Sequence, residues 1–441
     1  MRIADLAEGQ TLVCGFGREG RALERVVLAH CPGARVRVCC DQPPARPPER
    51  WPVETGGLAA ISPRPDRVLR SPGFPVDHPV LEDWRRAGVE VRCISSLWFG
   101  ERSDARVIAV TGSKGKSTTA TLIAEGLRAA GRTVALGGNI GVPMLDLLEQ
   151  RAEWFVVELS SYQLADLAGH VDLGVVTRLF PEHQDWHGDA ERYYAAKERL
   201  FELAGSQPVL INAADALLMQ RFGRHPNAVP VNGPGGLHAR GDGVWECERR
   251  RWPGDRIRLP GRHNLDNIVM ALEAVIRTGA DPSAALARMA GFSGLPHRLE
   301  RIEGPARTVW FNDSISTTPH ATLAALQSVP WPPVLICGGY ERGADWNEVA
   351  ALLRERPPAG LIALPDNGAR IVAELSAAGA VPGQRVALAG ELSEAVHKAR
   401  DWVPPGGCVL FSPGAPSFPH FRDFEHRGEC FRALVARLRA D

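Results

Sequence analysis

The sequence has no charge of one sign in excess: 51 Lys and Arg stand against 51 Asp and Glu. No global field therefore favours nucleic acid or an anionic membrane. It has no run of eighteen apolar residues, which excludes insertion as a membrane-spanning helix. Met1 to Gln10 carry Asp5 and Glu8 and lack an apolar core segment, so no signal peptide is read there. The nine cysteines form no C-x-x-C pair and follow no disulfide-framework spacing. They read as reduced thiols, which points to a cytoplasmic chain. Internal repeats, coiled-coil heptads and an apolar interface pattern are all missing, so a monomer is expected. What is present is length and apolar content: 441 residues, 44% hydrophobic, enough for two to three domains with their own cores.

The most informative stretch is Val107 to Thr118. Val107–Val110 reads as a buried strand. Gly112, Ser113, Lys114 and Gly115 then form a loop, and Lys116, Ser117 and Thr118 open a helix of good helix formers. This is the strand–loop–helix context of a phosphate-binding loop. Its N–H groups face anionic oxygens, Lys116 can reach the outer phosphates, and the Ser117 hydroxyl can ligate Mg²⁺. The spacing is one loop shorter than the usual pattern: Val110 stands where the first glycine is normally found.

Before it, Thr11–Cys14 is a strand followed by Gly15-Phe16-Gly17-Arg18-Glu19-Gly20 and a helix from about Arg21 to His30. A second strand, Arg35–Cys40, ends at Asp41, roughly twenty residues beyond the last glycine. That is a dinucleotide-type fingerprint, suited to any ligand with a pyrophosphate. Cys39 and Cys40 are expected to point to opposite faces of this strand. A strand at Arg67–Arg70 ends in Ser71-Pro72-Gly73 at the same sheet edge, where Ser71 and Gly73 can meet the same ligand. The polar run Arg102–Arg106 suggests a domain boundary.

After the phosphate loop comes Gly137-Gly138-Asn139-Ile140-Gly141, then a strand at Trp154–Val157 ending in Glu158-Leu159-Ser160-Ser161-Tyr162-Gln163. A carboxylate at that strand end is well placed for Mg²⁺, with helix capping as the alternative for Glu158. The strand Leu173–Thr177 runs into Pro181-Glu182-His183-Gln184-Asp185-Trp186-His187, and either histidine could be a metal ligand or an ordinary loop residue. By composition alone Lys197 is a solvated helix lysine. Residues 222–260 suggest small antiparallel strands. Gly261-Arg262-His263-Asn264-Leu265-Asp266-Asn267 opens a helix to about Thr278, with Asn264 and Asn267 on one face. They could read an adenine edge, or Asn264 could cap the helix.

Five further strands, at Thr308–Asn312, Val334–Cys337, Leu361–Leu364, Arg385–Ala387 and Cys408–Phe411, alternate with helices in another parallel α/β unit. Polar, hydroxyl-rich loops follow three of them, a setting that suits a small anionic substrate.

Taken together, Thr-Gly-x-x-Gly-Lys-Ser-Thr, Glu-Leu-Ser-Ser-Tyr-Gln, Pro-Glu-His, Tyr-x-Ala-Ala-Lys, Gly-x-His-Asn-x-x-Asn, His297-Arg298 and Asn312-Asp313-Ser314 resemble the Mur ligases over essentially the full length. These enzymes build the peptidoglycan stem peptide with ATP. The motifs look most like the type that joins glutamate to UDP-N-acetylmuramoyl-L-alanine.

The resemblance implies an α/β protein of three domains. They are a Rossmann-like UDP-sugar domain (1–103), a central phosphate-loop domain with a parallel sheet and a small antiparallel part (104–295), and a Rossmann-like glutamate domain (296–441). It implies ATP and two Mg²⁺ sites. Ser117 and Glu158 match ligands of the first, and His183 and a carbamylated Lys197 match those of the second. Lys116, Lys197, His183 and Asn139 carry catalysis by this likeness. Gly112 to Thr118, Asn264, Asn267, Arg298 and Asp313 match ATP contacts. Gly15, Phe16, Gly17, Arg18, Asp41, Ser71, Gly73 and Asn139 would hold the UDP-sugar. Thr317, Arg342, Ser417 and Phe424 are candidates for the glutamate pocket. Enzymes that add D-glutamate typically have a lysine where Ile315 stands and another where Arg342 stands. The runs 313–319 and 412–418 look like a less common branch that adds L-glutamate, which is the expectation here; D-glutamate is the alternative. A dehydrogenase would explain the first fingerprint but not the phosphate loop. An ATP-gated binding protein finds no charge run or exposed recognition helix to support it.

Overall fold

The structure is a computed structural model; it describes all residues except 45, 242, 255, 256, 260, 261, 342, 382–384, 440 and 441, and the side chain of Arg262. The described residues form two compact units, Met1–Phe292 and Ser293–Asp441. Each is considered by itself.

Unit 1 holds two parallel sheets. The first comprises β1 (Gln10–Cys14), β2 (Arg35–Cys40), β3 (Val53–Thr55), β4 (Arg67–Arg70) and β5 (Glu90–Cys93), in the order β3-β2-β1-β4-β5. The second comprises β6 (Val107–Thr111), β7 (Val134–Gly138), β8 (Trp154–Glu158), β9 (Leu173–Val176), β10 (Val209–Asn212) and β11 (Ala228–Val231), in the order β11-β10-β9-β6-β8-β7. Helices cover both faces, so central strands are apolar throughout; all five residues of β6 are buried. Strand order reverses at β1 and at β6. Both glycine loops therefore open at switch points, where sheets of this type bind ligands. A meander of β12 (Leu237–Arg240), β13 (Gly243–Glu246) and β14 (Arg249–Pro253) supplies the small antiparallel sheet.

Cys39 and Cys40 do face opposite ways. Cys39 packs with Leu12 and Val68, and Cys40 belongs to the cluster of Val13 and Val38. The first helix begins at Arg18, earlier than expected, because Gly17 takes the N-cap position and the fingerprint's Arg-Glu-Gly is already its first turn.

The two sheets of unit 1 share a core. Trp98 and Phe155 pack at 5.1 Å between ring centroids, and both lie in one cluster with Leu69 and Val107. The polar run at 102–106 helps to join them. Arg102 donates to the Leu148 and Gln150 carbonyls and lies over the Phe155 ring. Arg70, fully buried at the end of β4, donates to Asp166 at 2.6 and 3.0 Å and to the Tyr162 carbonyl at 2.7 Å. It also holds its own turn through the Ser71, Pro72 and Phe74 carbonyls.

Unit 2 comprises β15 (Glu300–Glu303), β16 (Val309–Asn312), β17 (Pro333–Cys337), β18 (Gly360–Ala363), β19 (Arg385–Leu388) and β20 (Cys408–Phe411), in the order β15-β16-β20-β17-β18-β19. All pairs are parallel except β15 with β16. β15 is absent from the sequence reading. It is an edge strand, Glu-Arg-Ile-Glu, with one apolar residue and hence no buried run to detect.

Replacing Arg70 by alanine strands the Asp166 carboxylate and several carbonyls. We expect unfolding in urea to lose about 3–5 kcal/mol, read from the denaturation midpoint at constant slope.

Candidate active site

The register of three parallel strands builds the centre of unit 1. Glu158 ends β8 level with Val110 of β6 on one side and Gly138 of β7 on the other. The loops after all three strands therefore start side by side. Glu158 is buried and its carboxylate is divided between two of them. Ser117 Oγ donates to Oε2 at 2.6 Å, and Asn139 Nδ2 donates to Oε1 at 2.8 Å. Helix capping next to it falls to Ser160, whose hydroxyl accepts from Gln163 N. Glu158 is thus not a cap.

The phosphate loop is braced from behind. Ser113 is buried, its N–H donating to the Arg178 carbonyl and its hydroxyl to the Phe180 carbonyl at 2.8 Å, with Tyr193 OH also at 2.8 Å. Thr177 Oγ donates to the Lys114 carbonyl. Lys114 pairs with Glu182 at 2.6 Å. Gly115 caps the helix Lys116–Ala129 at φ +90°, and a Cβ there would meet Asn267 Oδ1 at 2.6 Å. Lys116 Nζ lies over the loop, 2.9 Å from the Ser113 carbonyl. Thr118 is half-buried in the first turn. Glu182 and Tyr193 lie in motifs that the sequence shows, but the bracing role that they share with Thr177 is set by tertiary register.

Lys197 is where composition misleads. It lies on the helix Ala190–Ala204 with 1% of its surface exposed. Its Nζ donates to the Gly112 carbonyl at 2.8 Å and lies 4.7 Å from the Tyr193 ring centroid. Burial, then the nearby Lys116, push its pKa well below the ordinary lysine value. The solvated-lysine reading, made from composition alone, is therefore corrected: Lys197 shares the buried face of its helix with Tyr193, Leu200, Phe201 and Ala204.

The two histidines separate. His187 is buried against Ser161 Oγ at 3.0 Å, and burial holds its pKa down to about 4. It is a structural imidazole. His183, at φ +55°, is exposed and within electrostatic reach of Lys116 and Lys197, and partial desolvation beside the Tyr162 and Tyr193 rings lowers its pKa. Asn264 is the third residue of the helix Arg262–Arg277 and so does not cap it. Its Oδ1 accepts from Asn267 Nδ2 at 3.0 Å, and Asn267 Oδ1 accepts from Thr119. A cavity of about 350 Å³ opens beside the same helix, lined by Arg178, Asn232, His238 and Asp266 among others. Gly261 of that motif lies outside the described residues.

At the first sheet, Gly15 (φ +79°) and Ser71 meet through a 2.8 Å hydrogen bond from Ser71 Oγ to the Gly15 carbonyl. Gly17 and Asp41 are exposed. Phe16 is buried against Trp51. Gly73 is exposed and its carbonyl accepts from Trp186 Nε1. The Arg18 guanidinium reaches across to the Asn139 carbonyl at 2.8 Å.

In unit 2, Asp313 follows β16 and is buried. It accepts from Ser316 Oγ at 2.5 Å, Ser412 Oγ at 2.9 Å and Leu299 N at 3.1 Å, and burial pushes its pKa up to about 6. Arg298 is exposed and acts electrostatically on it. Thr317 is exposed, and Ser417 and Phe424 are half-buried on the neighbouring loop and helix start. Arg342 lies outside the described residues. A residue the sequence reading missed, Arg427, is buried here. It donates to Ser314 Oγ, the Ser314 carbonyl and the Ala415 carbonyl, and so ties the 313–318 and 412–418 loops together. Burial lowers its pKa to about 9.

Among the described residues, no three His, Cys, Asp or Glu side chains cluster as a ready-made metal cage. The donor set at Glu158 is instead one carboxylate, one hydroxyl and space toward the phosphate loop. That composition suits Mg²⁺, which takes few protein ligands plus phosphate oxygens. An unmodified Lys197 beside His183 does not suit a cation.

Comparison with known proteins agrees. The Mur ligase middle domain matches residues 110–275. A relative from Micromonospora, named UDP-N-acetylmuramoyl-L-alanine--L-glutamate ligase, is 41% identical across 99% of this chain and 98% of its own. One of the same name from Salinispora tropica is 39% identical across 99% of each. This chain belongs to the Mur ligase family. The crystal structure of the UDP-N-acetylmuramate-alanine ligase MurC from Thermotoga maritima shares the fold at TM-score 0.58, with 18% identity over 98% of this chain and all of that one. The α/β architecture is thus that of a Mur ligase. Among the described residues no helix is long and apolar enough to cross a membrane.

Asp313 gives unit 2 a pH signature. Its folded pKa of about 6 lies above the unfolded value near 3.8. The folded state therefore keeps its proton longer, and stability falls as pH rises from 4 to 6.5. D313N is expected to lack that decline, a difference on the order of 2–3 kcal/mol between the two pH–stability curves.

Proposed function

We propose that this chain is the ATP-dependent ligase that adds L-glutamate to UDP-N-acetylmuramoyl-L-alanine in peptidoglycan synthesis. One observation carries the reading: a braced phosphate loop with Lys116 over it and Ser117 on Glu158, in a chain 41% identical to a full-length relative of that name. Three working domains follow, at 1–103, 104–295 and 296–441. The first binds the UDP-sugar through Gly15 to Arg18, Asp41, Ser71 and Gly73. The second binds ATP through Gly112 to Thr118, Asn264 and Asn267, and the cavity lined by Asn232 and Asp266 suits the base. The third binds glutamate through Thr317, Arg342, Ser417 and Phe424, and presents Arg298 and Asp313 to the nucleotide. We assign the chain to the cytoplasm as a monomer.

The chemistry joins two anions. The alanyl carboxylate attacks the γ-phosphorus and ADP leaves, giving an acyl phosphate. The amine of glutamate attacks that carbonyl carbon, and the tetrahedral intermediate expels phosphate to leave an amide. Lys116 and the loop N–H groups offset repulsion in the first step. Asn139, fixed on Glu158, orients the reacting carboxylate. Ser117 and Glu158 would hold a first Mg²⁺, which supplies charge neutralisation between the approaching anions. A second would need Lys197 as its carbamate together with His183. The neutral amine that burial favours attacks CO₂, and the ammonium proton leaves, giving a nitrogen-bound carboxylate.

The first experiment is phosphate release from ATP with UDP-N-acetylmuramoyl-L-alanine and L- or D-glutamate. Turnover with L-glutamate is expected. Turnover with D-glutamate alone would overturn the L assignment, and silence with both would remove this acceptor. Lys197→Ala is expected to abolish turnover and, after exposure to ¹³C-bicarbonate, to lose a carbamate signal present in the parent. A fully active variant would refute the carbamate role.

A further inference from the structure

The loop that carries Asn139 is held from the other sheet. Gly138 (φ +101°) and Gly141 (φ +57°) flank the turn, and both values lie where glycine is favoured. Within the turn Gly138 N donates to the Val142 carbonyl at 2.8 Å, which leaves the Asn139 and Gly141 carbonyls to other donors. Arg18, the first residue of the fingerprint helix, closes it. Nη2 donates to the Asn139 carbonyl at 2.8 Å and Nη1 to the Gly141 carbonyl at 3.2 Å. Asn139 in turn gives its N–H to the Glu158 carbonyl at 2.9 Å and its amide to Glu158 Oε1, while Ser117 holds Oε2. Glu19, the next residue, holds the other flank of the same strand end. Its carboxylate accepts from Ser95 Oγ at 3.0 Å and Gln163 Nε2 at 2.8 Å, and Gln163 Oε1 accepts from Ser160 N, two residues past Glu158.

We infer that Arg18 is a positioning residue that couples the sugar-nucleotide site to the ATP site. This rests on the function proposed above. A diphosphate at the N-terminus of the helix that follows Gly17 restrains the helix start that bears Arg18. Arg18 fixes the 138–141 turn, Asn139 then fixes the Glu158 carboxylate, and Ser117 shares it with the phosphate loop. The side chain works on two carbonyls, and the backbone is what remains for the diphosphate. Coupling of this kind is reciprocal: nucleotide at Ser117 tightens the sugar-nucleotide site by the same factor.

The test is equilibrium binding by titration calorimetry, with no turnover. The affinity of the Mg²⁺ complex of AMP-PNP is measured with and without saturating UDP-N-acetylmuramoyl-L-alanine. In the parent protein the second ligand is expected to tighten the first by about fivefold or more. In R18A that ratio is expected to fall to within about twofold of one, with an unchanged thermal midpoint because Arg18 is exposed. R18K is expected to recover part of it, since an ammonium cannot span two carbonyls as a guanidinium does. R18Q serves should R18A not fold. A ratio near one in the parent overturns the inference while leaving the function intact. So does an R18A protein that keeps the full ratio but binds the UDP-sugar more weakly, which would make Arg18 a diphosphate ligand. Failure of the parent to bind either ligand would instead remove the functional reading, and this inference with it.

Discussion

The site depends on one buried carboxylate. A buried carboxylate needs hydrogen-bond donors, and Glu158 receives one from each neighbouring loop. Those donors are also the groups that chemistry at a phosphate loop needs. The serine is at the helix start, and the amide is on the next loop. The same two hydrogen bonds thus satisfy a folding constraint and set the geometry of the reacting centre. Strand register makes this possible, because Val110, Glu158 and Gly138 are level across the sheet. A one-residue slip would send the carboxylate to the other face.

Much of this was legible in the sequence. Strand–glycine–helix units announce themselves because a buried parallel strand must be an apolar run and a phosphate loop must be glycine-rich. β1 and β6 were therefore readable with their loops, and so was the polar end of β8. Local chemistry was enough for Lys116, Ser117 and Glu158. The residues that escaped share a different property. Arg70 and Arg427 carry no signal of burial in the sequence, yet both are buried, because each satisfies carbonyls that only the assembled fold brings together. The edge strand β15 escaped because charge on an edge is a device against aggregation and erases the apolar period.

His183 and His187 show how far a motif alone can go. Four residues apart on one polar loop, they are chemically equivalent in the sequence. The fold separates them by accessibility. His187 is enclosed by Tyr162, Trp186 and Tyr193 with Ser161 on its ring nitrogen, whereas His183 is exposed within electrostatic reach of Lys116 and Lys197. Only the second is free of the core, so it alone can serve a ligand.

Lys197 is the clearest case of burial deciding chemistry. A lysine ammonium at 1% exposure, facing a carbonyl and a tyrosine ring and close to a second lysine, is an expensive arrangement. As a salt-bridge partner the residue would need a carboxylate within reach of Nζ, and its hydrogen bonds instead go to the Gly112 carbonyl and Thr111 Oγ1. As a packing residue a leucine or methionine would fill the same volume without the desolvation penalty. Losing the proton relieves the penalty, and a neutral amine is a nucleophile. The environment that makes Lys197 a poor cation is therefore the one that the proposed carbamate needs, and that product would reverse the charge beside Lys116. Under the proposed function the burial of Lys197 serves the chemistry and is not a cost borne in spite of it.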